Sequence, residues 1–164
     1  MRIFNPFPPV NDGNARILIL GSLPSEASRA AGFYYMNPRN RFWTVLSTLL
    51  DEDFAAMSAD EKRRALSKHG VALSDVVLSC EIHRSADASI KNPQCTDVPA
   101  LVRGSHVKRI FLNGQKAYAL FLKYFPDFKE MATLLPSTSP ANAKTSLAEL
   151  TRIWGEAILP FLQA

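Results

Sequence analysis

At 164 residues, 47% of them hydrophobic and 21% charged, the chain holds apolar material for one packed core and little room for two. Two cysteines, Cys80 and Cys95, are too few for a disulfide framework, a four-cysteine zinc site or an iron–sulfur cluster held by cysteine alone, so a reducing cytoplasm is the expected compartment. A formal net charge of +4 favours an anionic partner without naming it, and no stretch approaches the roughly 20 apolar residues of a membrane span.

The first nine residues hold three prolines and no apolar run, which is no export signal. Residues 16–21, RILILG, form a short apolar run with β-branched content that ends in glycine and predicts a buried strand. Residues 40–50 place Phe42, Trp43, Val45, Leu46, Leu49 and Leu50 on one helical face. Ser58 and Glu61 form a capping box, and the short helix that follows stops at Gly70. A second strand is predicted over 71–79, a third over 107–112, a helix over 114–124, a fourth strand over 132–135 and a last helix over about 146–159. This alternation implies one α/β domain over residues 1–164, a three-layer α/β/α sandwich around a mostly parallel four-stranded sheet.

Ligands of open parallel sheets bind outside the carboxyl ends of the strands, where residues 22–39, 80–99, 113–115 and 136–144 fall. In the first of these loops Phe33, Tyr34 and Tyr35 either stack on a flat ligand or pad the core, and composition alone favours the core. Asn40 stands where a helix N-cap is expected, a role that does not exclude chemistry. Arg39 and Arg41 sit near a helix start where phosphates can be held, although such arginines are more often solvated. The fourth loop, LLPSTSPANAK, is stiffened by two prolines and can offer backbone N–H groups to phosphates; on composition it is a turn. Lys62, Arg63 and Arg64 read as a solvated helix face. His69, His83 and His106 lack metal-ligand spacing, and there is neither a Walker loop nor a GxGxxG.

Four segments in order, GSLPSEAS with YYMNPRNRFW, ALSDVVLSCEIHRSADASIKN, RIFLNGQKA and LLPSTSPANA, resemble the uracil-DNA glycosylase superfamily, and specifically its hypoxanthine-DNA (deoxyinosine) glycosylase branch. The resemblance implies a parallel four-stranded sheet between helical layers. It places Tyr35 as the aromatic that stacks on an extruded base, Asp75 where an asparagine reads the base edge, and Gly21 and Ser22 beside the base. Asn40, the last residue of NPRN, becomes the essential catalytic asparagine. Ser137, Ser139, Pro140, Ala141 and Asn142 form the DNA-binding loop, with Ser137 replacing a histidine and Ala141 standing where relatives place a leucine wedge. Leu23 replaces the asparagine that positions water in mismatch-specific relatives.

The implied activity is hydrolysis of the N-glycosidic bond of a deaminated base, hypoxanthine or uracil, with no metal or other cofactor. Because no lysine is placed as an amine nucleophile, strand cleavage is not expected. The expected partner is DNA containing that base, without membrane association, bound by a monomer whose Arg39, Arg41, Lys91 and Lys144 approach the phosphates. A catalytically silent damaged-DNA-binding module on the same scaffold is the rival reading, prompted by Leu23 and Ser137; a Rossmann-like small-molecule enzyme lacks a motif of its own.

Overall fold

The computed structural model describes residues 2–5, 7–23, 25–81 and 91–162. In chain order the elements are β1 (Arg2–Phe4), β2 (Ile17–Gly21), α1 (Glu26–Ala31), α2 (Phe42–Leu50), α3 (Ala59–Lys68), β3 (Val71–Asp75), β4 (Val77–Glu81), β5 (Lys91–Cys95), α4 (Val98–Arg103), β6 (Arg109–Asn113), α5 (Gln115–Tyr124), β7 (Ala132–Leu135) and α6 (Leu147–Leu162).

Four of these strands form a parallel sheet in the order β3-β2-β6-β7, with Ile17 opposite both Val71 and Arg109, and Ile110 opposite Ala132. Both faces of β2 are covered, so its side chains alternate between two cores. Ile17 and Ile19 pack with Phe42, Leu46, Leu66 and Trp154 from α2, α3 and α6, whereas Leu18 and Leu20 pack with Val98, Ala117 and Phe121 from α4 and α5. That is the expected α/β/α sandwich, and it explains why β2 reads as a continuous apolar run rather than an alternating one. The chain leaves β2 toward β3 on one side and later returns to β6 on the other. Loops following β2 and β6 therefore diverge and leave a crevice at the carboxyl edge.

Several local expectations need correction. The strand predicted over 71–79 is two strands: the register of β3 with β2 ends at Gly21 and Asp75, with the Val76 and Val77 N–H groups still reaching the Gly21 and Ser22 carbonyls at 2.7 and 3.0 Å. After Val76 the chain turns away to build a second, antiparallel sheet in the order β1-β4-β5. Neither β1 nor β5 was legible, the first lying next to a proline-rich stretch and the second carrying Pro93, which suits an edge strand. Lys62 is not on a solvated face: it is buried, its Nζ lies 5.5 Å from the centre of the Trp43 ring and it donates to the Met57 carbonyl at 3.0 Å. Arg63 likewise covers Phe33, so apolar stems and aromatic faces draw in cations that composition assigns to water. Ser58 and Glu61 do form the capping box, each side chain bonded to the other's backbone N–H.

Candidate active site

A cavity of about 800 Å³ opens at the carboxyl edge of the parallel sheet, and the last residue of each of its strands lines it: Gly21, Asp75, Asn113 and Leu135. This is within the roughly 300–1,000 Å³ of small-molecule sites. The rest of the wall comes from the loops after β2 and β7, including Tyr35, Asn40, Ser137 and Thr138, and from Gly114, Gln115 and Lys116 where β6 passes into α5.

Gly21, Asp75 and Tyr35 meet at the floor. A Cβ on Gly21 would stand 2.6 Å from Asp75 Oδ1 and 2.7 Å from the Tyr35 hydroxyl, so only glycine admits both side chains. Tyr35 has φ of 55°, the left-handed region that a bulky side chain seldom adopts and that functional sites are known to hold. Its ring stacks on the buried ring of Phe42, centroids 4.0 Å apart and planes at 23°. The hydroxyl is shut off from water without a hydrogen bond of good geometry, with Asn113 as the amide beside it. Burial, then the neighbouring Asp75 carboxylate, push its proton affinity far above that of ordinary tyrosine. Asp75 itself is buried, and Asn5 Nδ2 donates to its Oδ2 at 3.3 Å.

Asn40 stands between the first loop and α2. Its Oδ1 accepts the Phe42 backbone N–H at 3.0 Å and the Thr138 hydroxyl at 2.7 Å. A backbone N–H can only donate, so the atom facing it must be the amide oxygen, and the –NH2 group is what Asn40 has left to offer the cavity it lines. The expected capping role is thereby present one residue ahead of the geometric N-cap, Arg41, whose own side chain makes no cap bond.

The loop after β7 is bolted to the body of the protein. Arg41 Nη1 donates to the Thr145 carbonyl, and Nη2 to the carbonyls of Ser139 at 3.3 Å and Asn142 at 2.9 Å. Asn142 Nδ2 turns inward to the Ser137 carbonyl and Thr145 Oγ1, while Trp154 Nε1 holds the Pro136 carbonyl. Ser137 Oγ accepts the Ser139 N–H, and Ser139 Oγ accepts the Ala141 N–H. Pro140 and Ala141 are left exposed at the tip.

The model of the Uracil DNA glycosylase superfamily matches residues 7–157. The chain belongs to this superfamily. It is 32% identical over 155 residues to a hypoxanthine DNA glycosylase of Methanosarcina barkeri, covering 92% of this chain and 95% of that one. A hypoxanthine DNA glycosylase of Methanosarcina acetivorans is 34% identical over 144 residues, covering 85% and 89%. The solution NMR structure of a candidate uracil DNA glycosylase from Methanosarcina acetivorans superposes with a TM-score of 0.75 at 32% identity, covering 92% of this chain and 95% of that one.

Within this superfamily fold, Gly21, Ser22, Tyr35, Asn40, Asp75, Ser137, Ser139, Pro140, Ala141, Asn142 and Lys144 all line the one cavity. Leu23 lines it too, packed beside Val77 and Cys80. Phe33 is wholly in the core against Trp43, and Tyr34 is buried with its ring edge-on to Phe7. Tyr35 alone of the three aromatics is half-exposed. Arg41 departs most from expectation, since three carbonyls occupy the guanidinium meant for phosphates. Arg39 and Lys144 are exposed; the Lys91 side chain, like His83, lies outside the described residues. Asn5 lies outside the strand-end segments, and Asn113 and Thr138 lie within them without a role of their own in the sequence pattern. For Asn113 the signal was its place at the end of the apolar run RIFLN, on the carboxyl edge. No helix among the described residues is long and apolar enough to cross a membrane.

Proposed function

We propose that this one-domain chain acts as a monomeric, cytoplasmic, monofunctional DNA glycosylase that removes a deaminated base, hypoxanthine first and uracil second, and leaves an abasic site. The orientation of Asn40 carries the reading. Its oxygen is occupied by Phe42 N–H and Thr138 O–H, so it meets a ligand with donors. Breaking the C1′–N bond leaves an oxocarbenium-like sugar and puts the electron pair on the base, and hydrogen-bond donors preorganised toward that growing negative charge are the strongest catalytic device available without a metal. Water then adds to C1′ and yields its proton to solvent, while the base anion takes one up. An amide does not titrate in the useful range, so Asn40 is not a general base.

Reaching this site requires flipping the nucleotide out of the stack at a cost of a few kcal/mol, part of which stacking on the Tyr35 ring offsets. Deaminated bases share a lactam edge, an N–H beside a carbonyl. Asp75 reads that edge, accepting the N–H when ionised or donating to the carbonyl when protonated, while Asn5 steadies its other oxygen. Arg39 and Lys144, with Lys91, meet the phosphates; Arg41 shapes the loop that enters the DNA. The names of the Methanosarcina relatives support hypoxanthine as the first substrate.

The test uses labelled duplexes carrying one hypoxanthine, one uracil or only normal bases, followed by alkali to cut abasic sites. Alkali-dependent cleavage at hypoxanthine is expected. Binding without release of any base would instead mark a catalytically silent damage-binding module.

A further inference from the structure

The buried hydroxyl of Thr138 joins two asparagines in a chain whose direction the backbone fixes at both ends. We propose that Thr138, held by Asn113, is a positioning residue that keeps the Asn40 amide nitrogen turned into the cavity; this rests on the glycosylase reading above. At one end, the Thr138 N–H donates to Asn113 Oδ1 at 3.0 Å, which makes the other amide atom of Asn113 a nitrogen, and that nitrogen donates to Thr138 Oγ1 at 3.0 Å. The single hydroxyl proton therefore cannot point back to Asn113, and it points to Asn40 Oδ1 at 2.7 Å. At the other end Phe42 N–H meets the same oxygen. Thr138 is 0% exposed although it stands in the cavity wall, so in the folded protein its hydroxyl is satisfied by side chains rather than by bulk water. With Phe42 N–H alone the amide would keep its oxygen bonded but pivot about that bond, carrying the donor off the departing base.

Thr138→Val removes the proton at nearly the same volume, and Thr138→Ala removes it without adding atoms should the valine protein fail to fold; Thr138→Ser keeps it. Single-turnover excision of hypoxanthine is expected to fall by up to about 100-fold in Thr138→Val or Thr138→Ala, and to recover most of the rate in Thr138→Ser. Affinity for an abasic-site duplex should stay close to wild type, which separates lost positioning from lost folding. The side-chain amide resonances of Asn40, assigned by their absence in Asn40→Ala, should shift in the hydroxyl-free variants and stay in place in Thr138→Ser. Wild-type excision by a hydroxyl-free variant, no recovery in Thr138→Ser, or unmoved Asn40 amide resonances would each overturn the inference. Absence of excision by the wild type, with the amide resonances shifting as described, would overturn the glycosylase reading and leave the orientation of Asn40 by Thr138 standing.

Discussion

Gly21→Ala tests how tightly the floor of the cavity is built. A methyl group there would lie 2.6 Å from Asp75 Oδ1 and 2.7 Å from the Tyr35 hydroxyl, so each must retreat by about 0.8–0.9 Å to regain contact near 3.5 Å. Neither moves freely: Tyr35 is pinned between its left-handed backbone and the Phe42 ring, and Asp75 is buried and bonded to Asn5. Overpacking of this kind costs about 1–3 kcal/mol, read as a lower urea midpoint at unchanged slope. If Tyr35 and Asp75 contact the base as proposed, a shift of about 1 Å in them also slows single-turnover excision by up to about 100-fold. Removing the hydroxyl in the double variant Gly21→Ala/Tyr35→Phe abolishes one of the two clashes. Its stability should therefore exceed the sum of the single effects, by roughly 0.5–3 kcal/mol. A Gly21→Ala protein as stable and as fast as wild type would refute the close approach of the three residues.

Arg41→Lys replaces a guanidinium that spans three carbonyls with an ammonium that cannot, and should destabilise the protein by about 1.5–3 kcal/mol while opening residues 136–145 to proteolysis; an unchanged digestion pattern would argue against the clamp. Tyr34 and Tyr35 both bind their protons more tightly when folded, chiefly through burial and then through Asp75. Above about pH 10 the unfolded chain loses those protons first, so stability falls as pH rises, by about 1.4 kcal/mol per pH unit for each tyrosine. Tyr35→Phe should shed one share of that alkaline slope, and an identical slope would contradict the burial of its hydroxyl. Arg39→Ala and Lys144→Ala should each reduce the magnitude of the log–log salt dependence of duplex binding by about 0.9, whereas a salt-independent affinity would reject phosphate contact by either. Asp75→Asn should retain excision or change its base preference and Asp75→Leu should lose it; a folded leucine variant with wild-type rates removes Asp75 from base reading.

The parallel sheet was legible because strands buried on both faces are written as unbroken apolar runs, as in RILILG, and because Ser58 and Glu61 mark a helix start by chemistry that depends on neighbours in sequence. The lining of the cavity was legible where Gly21 ends β2 and Tyr35 and Asn40 lie in the loop beyond it, on the carboxyl edge where open parallel sheets hold ligands. What escaped depends on partners distant in sequence. Arg41 reads as any exposed arginine until the loop 98–104 residues further on presents its carbonyls. Thr138 is one small polar residue among several in PSTSPANA, and only folding brings Asn113 and Asn40 to its two sides. The split between β3 and β4 likewise depends on distant partners, since β3 pairs with β2 whereas β4 pairs with β1 and β5.

Asn40→Asp is the most direct test of the donor role. The aspartate oxygen can still accept Phe42 N–H and Thr138 O–H, so the cap and the fold should persist with a melting temperature near wild type. The amide donor is gone, and a carboxylate would repel the departing base anion. Single-turnover excision of hypoxanthine is therefore predicted to fall by about 100- to 1,000-fold in the folded variant. Excision at or above the wild-type rate would contradict the donor role and point to activation of water instead.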